Sequence, residues 1–310
     1  MDACYGASIE SESNNFRDEP PPNALPHGLW DQLSPWLKKQ QERFSSSPFL
    51  LGHCIVCGEN SAFFCSDTLL ARESFVCTVC LTTSRFRSMA RGILRAVSEQ
   101  TGVEAASLSE LSRTEIGRTF RVYDTQLPFY YHMCSYPLPD LLAAVRGVEV
   151  QLSRYRPLDE PGSHIDGKPN FTNQNLECLT FADASFDLVM TSDVMEHVRL
   201  DDIAHREIRR VLKPGGVYIF TVPHTRAAHG TMNRVVIHDP LDPAKDEYVM
   251  EKEFHGDAND LQNAALSYRV YGTELDEKLQ KLGFHVDYTR QDFPESGIVN
   301  TELFYCLVQR

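Results

Sequence analysis

The chain has 310 residues, 42% of them hydrophobic, and 43 acidic against 30 basic side chains give a formal charge of −13. That length fits one large domain with an appended module, and the acidic balance argues against DNA or structured RNA as a partner, because phosphate neutralisation supplies most nucleic-acid affinity. No apolar run approaches the ~20 residues that cross a bilayer, and the N-terminal stretch has neither the basic nor the apolar region of a secretory leader. A cytoplasmic protein without membrane contact is expected.

Residues 1–24 are rich in Ser, Asn, Glu and Pro and end in a proline run, a composition that buries too little apolar surface to order itself. A disordered tail is expected there, followed over 25–100 by a helix, a metal-binding module and a linker helix. Leu29, Trp30, Leu33, Trp36, Leu37 and Phe44 recur at near-helical spacing, interrupted by Pro35. Nine cysteines in a cytosolic chain point away from a disulfide framework. Cys54 and Cys57 form one CxxC pair and Cys77 and Cys80 another, with a 19-residue spacer between them. Each pair curls two thiolates toward one point, and two pairs complete a tetrahedral sulfur site for zinc, with Gly58 easing the turn. Four protein ligands leave no open position, so the metal is expected to be structural. Independent buried thiols are the alternative, and Cys65 and His53 are second-choice ligands. Residues 85–100 predict the linker helix, its arginines in solvent and Ile93 and Leu94 inward.

Over 101–310 short apolar strands alternate with helices. Strands are predicted at 118–124, 148–155, 185–194 and 216–223, with helices at 139–147, 201–212 and 273–284. Such alternation implies parallel crossovers and a doubly wound, Rossmann-like α/β sheet. The last two strands, 284–293 and 301–310, have no helix between them and should form an antiparallel hairpin at an edge. Lys213-Pro214-Gly215-Gly216 reads as a left-handed helix cap before a strand. The stretch from His224 to about Ala265 is long and lacks a core pattern, as segments that cover or select a substrate often do.

Several landmarks carry a family resemblance: Leu179-Thr180-Phe181, Ser185-Phe186-Asp187, Asp193 with Glu196 and His197, Glu207 with Arg210, and Lys213 to Gly216. In that order they resemble the class I S-adenosylmethionine-dependent methyltransferases, in the branch labelled type 11, over residues 118–310. The resemblance implies a cofactor crevice at the carboxyl ends of the strands, with Asp193 at the end of a central one. Asp187 reads as an anchor of its turn. The family's glycine-rich first loop is replaced by Asp124, Thr125, Gln126, Leu127, Pro128 and Phe129, and its acid after the second strand by Arg154. A narrower bacterial subgroup with a glycine-free first loop is also similar, through Tyr123 to Gln126, Ser153-Arg154-Tyr155, Asn175-Leu176 and His255-Gly256-Asp257. By this resemblance Asp124, Thr125, Gln126, Arg154, Asn175, Leu176 and Asp193 are the cofactor candidates.

Side chains of Thr125 and Gln126 can replace lost backbone donors, and Phe129, Tyr130 and Tyr131 either face adenine or the sulfonium or fill the space of an absent cofactor. For proton removal from an acceptor the candidates are His224, beyond the fifth strand, and His255 with Asp257, a pair that can act as an oriented base or brace its loop. His229 and His238 read as ordinary loop residues. The expected function is methyl transfer from S-adenosylmethionine to a small or medium-sized acceptor, for which the lineage suggests metabolites or glycan precursors. Two alternatives stay open: a catalytically degenerate interaction protein whose zinc module recruits a protein partner, and different chemistry on S-adenosylmethionine.

Overall fold

The computed structural model describes residues 49–65, 71–130, 134–257 and 260–309, and the side chains among them except those of 256–263. The expected tail at 1–24, the helix at 29–44, Tyr131 and the side chain of Asp257 lie outside that description. In chain order, β1 (Phe49–His53), β2 (Asn60–Phe64) and β3 (Val76–Cys77) form a small antiparallel sheet. Helix α1 (Ser84–Thr101) leads to β4 (Glu115–Asp124), then α2 (Leu138–Ala143), β5 (Arg146–Arg154), β6 (Phe171–Asn173), β7 (Phe186–Ser192), α3 (Asp201–Val211) and β8 (Leu212–Thr221). A hairpin of β9 (Glu253–Asp257) and β10 (Asp260–Ser267) precedes α4 (Glu274–Lys281), β11 (Phe284–Phe293) and β12 (Ile298–Val308).

Seven strands form the main sheet in the order β11-β12-β8-β7-β4-β5-β6, and only β12 runs against the rest. This is the doubly wound architecture with an antiparallel terminal hairpin that the alternation of elements implies. From β4 the chain winds outward through β5 and β6, then returns to lay β7 on the other side of β4. The strand order therefore reverses between β4 and β7, the place where open α/β sheets leave a crevice beyond their carboxyl ends.

All seven residues of β7 are buried, as a strand covered on both faces requires. Leu188 and Met190 enter one core with α1 and α2, while Val189 points into the other with α3 and α4. Asp187 anchors the opposite end of this strand. It accepts hydrogen bonds from the Arg121 backbone (2.8 Å), Lys213 (2.6 Å) and Arg118 (2.7 Å). The Glu207 and Arg210 landmark is likewise a stitch: Glu207 accepts from the Leu179 backbone at 2.9 Å and Arg210 donates to the carbonyls of Leu179 and Phe181.

Three sequence expectations need correction. Gly215 takes the left-handed conformation (φ 78°), but inside an irregular start of β8 whose register against β7 shifts between Leu212 and Val217, rather than as a helix cap; α3 ends at Leu212 in extended backbone. The segment after His224 has structure of its own in the β9–β10 hairpin, so His255 lies on a strand and not in an open loop. The arginines of α1 do not all face water: Arg87 is fully buried, donating to the carbonyls of Phe75, Thr82 and Gly297, and Arg85 turns toward β7. The first two of those carbonyls belong to the cysteine module and the third to the β11–β12 turn. Together with Ser84 and Val299, which exchange hydrogen bonds of 3.1 and 2.7 Å, Arg87 ties the module to the main sheet.

Candidate functional site at the sheet switch point

Cys54, Cys57, Cys77 and Cys80 bring their four sulfurs within 4.8 Å of one another, with 3.7 Å between Cys54 and Cys80 and 3.9 Å between Cys57 and Cys77. Zinc–sulfur bonds of about 2.3 Å in a tetrahedron set sulfurs about 3.8 Å apart, so the donor set and its spacing fit zinc. Gly58 supplies the left-handed turn after the first pair (φ 78°). Cys65 and His53 are not in the group.

At the carboxyl end of β4, Asp124 is fully buried. Its oxygens accept from the Gln126 backbone (2.9 Å) and the Tyr136 hydroxyl (2.8 Å). Burial outweighs those two bonds and pushes its pKa up to about 7. Because the folded value lies above the unfolded value near 4, this carboxyl favours the native state at low pH; the contribution is lost as pH rises toward about 7. Asp124→Asn is therefore expected to flatten the fall in stability between pH 4 and 7, read from urea midpoints across that range, and an unchanged slope would assign the fall to other groups.

Asp193, just past β7, adopts φ 50°, a backbone region that aspartate tolerates better than most residues. Its Oδ1 accepts from Arg72 (2.8 Å) and Thr221 (2.9 Å), and Arg85 stands 3.4 Å from Oδ2. Burial alone would raise its pKa, but the two guanidinium charges hold it well below the usual carboxylate range. Glu73 completes the group, accepting from Arg85 at 2.9 Å and lying 3.5 Å from Arg72. Arg72 and Glu73 come from the cysteine module, so that module meets the main sheet at the carboxyl end of β7.

Beyond Asp193, a 3-10 turn over Met195–His197 buries Glu196 completely. Neither of its carboxylate oxygens has a hydrogen-bond donor among the described residues. Burial, reinforced by Asp193, drives its pKa far above the ordinary carboxyl value. His197 bonds the Leu266 carbonyl through Nδ1 (2.9 Å) and brings Nε2 to 3.7 Å from Glu196. The rings of His197 and His255 meet edge to face with centroids 5.0 Å apart.

Of the sequence candidates, Asp124, Thr125 and Asp193 come together on adjacent strand ends, where the Thr125 backbone donates to Met190 at 3.3 Å. Gln126 is buried beside them, and Arg154 ends the neighbouring strand β5. Asn175 closes its own turn by accepting from the Glu177 backbone (2.9 Å), and Leu176 belongs to the core. His224 does not join the group around Asp193: its ring packs on Tyr288 and Phe304 of the terminal hairpin, and burial lowers its pKa. Phe129 is buried against Phe86 of α1 and Tyr136, whereas Tyr130 is exposed and bonds Asp140. Sequence reasoning missed Arg72, Glu73, Arg85 and Tyr136 as site residues, and quoted Glu196 and His197 only as a landmark. The adjacent acid and histidine after a buried strand were the readable signal; Arg72 had none.

Residues 142–220 match the family described as a methyltransferase domain. Two curated relatives are ubiquinone/menaquinone biosynthesis C-methyltransferases UbiE. The one from Hydrogenovibrio crunogenus is 41% identical over 76 residues, 24% of this chain and 29% of the relative. The one from Nitrobacter hamburgensis is 43% identical over 56 residues, 18% of this chain and 22% of the relative. The chain thus spans less than a third of the length of these relatives. Among solved structures, an S-adenosylmethionine-dependent methyltransferase from Methanosarcina mazei aligns at 16% identity and TM-score 0.34, covering 63% of this chain and 95% of its own. A complex of the Haloferax volcanii Trm112 methyltransferase activator with a methyltransferase aligns at 13% and TM-score 0.39, covering 73% and 94%. No helix among the described residues is long and apolar enough to cross a membrane.

Proposed function

We propose, from the premise that this chain carries a class I, S-adenosylmethionine-dependent methyltransferase domain, that it transfers a methyl group from S-adenosylmethionine to a small or medium-sized acceptor. The observation that carries this reading is the β4–β7 switch point, where Asp193 and Thr125 stand at adjacent strand ends. The fit to the cofactor is one of charge: Asp193 and the arginines Arg72 and Arg85 pair with one another in the structure, and S-adenosylmethionine would bind by exchanging partners with them, its ammonium meeting Asp193 and its carboxylate the guanidiniums. Arg154 and the 57%-exposed ring of Tyr155, at the end of β5, offer a polar and a stacking contact where the family uses an acid. When bound, the cofactor supplies a methyl already activated for in-line displacement, so the protein mainly has to align the acceptor and take its proton. His255 is the base we favour, because the β9–β10 hairpin brings its ring against His197, in the turn that follows Asp193. We divide the chain as a module within 25–100 and a methyltransferase-like domain over 101–310, with α1 packed against both.

One observation favours a second reading. Phe129, Tyr136 and Asp124 close on one another under the first loop, as side chains would in a protein that has exchanged catalysis for binding a protein partner. Isothermal titration of the zinc-loaded protein with S-adenosylmethionine and S-adenosylhomocysteine decides between them. A dissociation constant in the micromolar range, about −8 kcal/mol, is expected. No heat with either at millimolar concentration would leave the interaction protein.

A further inference from the structure

We infer that Glu196, His197 and His255 bind one divalent transition-metal ion, at a site built from different elements than the four cysteines. Each of the three brings a ligand atom within 4.8 Å of the other two. They come from two separate pieces of chain, the turn after β7 and strand β9, so the convergence is a product of the fold and not of sequence adjacency alone. Two imidazoles and one carboxylate are the donor set that suits Zn2+, Fe2+, Co2+ and Mn2+, and three protein ligands leave coordination positions open.

Glu196 is the observation that points to a ligand. It is 0% exposed, and both of its oxygens lack a hydrogen-bond donor among the described residues. Burying a carboxylate without a partner is costly, and such groups are ordinarily paired, hydrogen-bonded or bound to metal. The nearby guanidiniums are engaged elsewhere: Arg72 and Arg85 pair with Asp193 and Glu73. Two arginines against those two acids leave no guanidinium to hydrogen-bond the Glu196 oxygens, and that unfilled place beside them is what a cation would take.

The histidines are held as ligands are held. The Leu266 carbonyl takes the Nδ1 proton of His197, which fixes the tautomer and presents the Nε2 lone pair toward Glu196. His255 is oriented by Glu253 (2.9 Å), itself anchored by Arg234. The 3.7 Å between His197 Nε2 and Glu196 is too long for a hydrogen bond. It is close to the separation of about 3–3.5 Å between neighbouring ligands on one ion with bonds of about 2.1 Å. If the methyl-transfer reading holds, the ion would take over the part of His255 as base, because a coordinated imidazole has no free lone pair, and would make an acceptor oxygen bound to it more acidic.

The test is Co2+ titrated into the full-length protein with its cysteine site loaded with zinc, followed by visible absorption. One equivalent is expected to bind with the weak d–d bands of a nitrogen and oxygen site and without thiolate charge-transfer absorption. Glu196→Gln, which keeps size and shape, should weaken binding by at least 100-fold, and His197→Ala and His255→Ala by at least tenfold, each with unchanged near-ultraviolet circular dichroism in metal-free buffer. The site is refuted if the wild type takes up no Co2+ at millimolar concentration, if thiolate bands alone appear, or if Glu196→Gln binds as the wild type does. None of these readouts depends on S-adenosylmethionine, so a failed cofactor titration leaves the inference standing or falling on its own.

Discussion

Asp193→Ala is expected to destabilise the protein by about 3 kcal/mol at neutral pH, toward the low end of the range for breaking a buried ion pair because the Asp193 side chain is 24% exposed. Without the carboxylate, Arg72 and Arg85 face each other with only Glu73 between them, and the Thr221 hydroxyl loses its acceptor. Alanine also tolerates the left-handed backbone at this position poorly, a further cost of about 1 kcal/mol. Asp193→Asn separates these effects, since asparagine accepts the left-handed backbone and can still receive the Thr221 bond while lacking the charge. Its expected cost is smaller than that of alanine, and pH-dependent. The folded pKa of Asp193 is depressed, so its charge stabilises the native state above the unfolded value near 4, and that stabilisation is lost as pH falls below it toward the folded value. Urea midpoints of wild type and Asp193→Asn should therefore converge as pH drops below 4. A gap that stays constant down to pH 3 would mean that the arginines do not hold the carboxylate in solution.

The parts of this molecule that repeat a local rule were legible in its sequence. Alternating strands and helices gave the doubly wound sheet, and paired CxxC spacing gave the four-sulfur cluster, because periodicity and ligand spacing are properties of short stretches. The ion-pair group around Asp193 was not legible for the opposite reason. Arg72 reaches Asp193 across 121 positions, and Arg85 does so across 108. Nothing in the run from Arg85 to Arg95 distinguishes Arg85 and Arg87, which point inward, from Arg91 and Arg95, which are exposed. The helical period does place 87 and 91 on one face, but whether a guanidinium there meets carbonyls or water depends on the β11–β12 turn, two hundred residues away. His224 and His255 show the same limit. His224 was assigned by its place after a strand and His255 by its pairing with Asp257, yet only the hairpin that the sequence did not disclose brings His255 against His197, four residues past Asp193.

That dependence sets the largest expected effect, on the cysteine module. With zinc on the four cysteines, Cys77→Ser or a chelator should lower the melting temperature of the full-length protein by on the order of 10 °C in a single cooperative transition. Structural zinc contributes about 10–16 kcal/mol in small zinc domains, so losing one of four thiolates removes several kcal/mol, each worth about 2 °C or more in a chain of this size. The single transition follows from the contacts. Arg87 binds carbonyls of the module and of the β11–β12 turn at once, Ser84 is bonded to Val299 of β12, and the Leu108 backbone donates to Ile55 at 2.9 Å. A module that unfolds must break these buried bonds and withdraw Arg72 and Glu73 from the group around Asp193. Cofactor affinity, measured by titration below the melting temperature, should accordingly fall with zinc content. Calorimetry that resolves two transitions, with an unaltered upper one after zinc removal, would show the module to be an independent unit and the Asp193 pairing to be dispensable for the sheet. A single transition at a lowered temperature, with affinity lost in step, would make the four cysteines a structural element of the site itself.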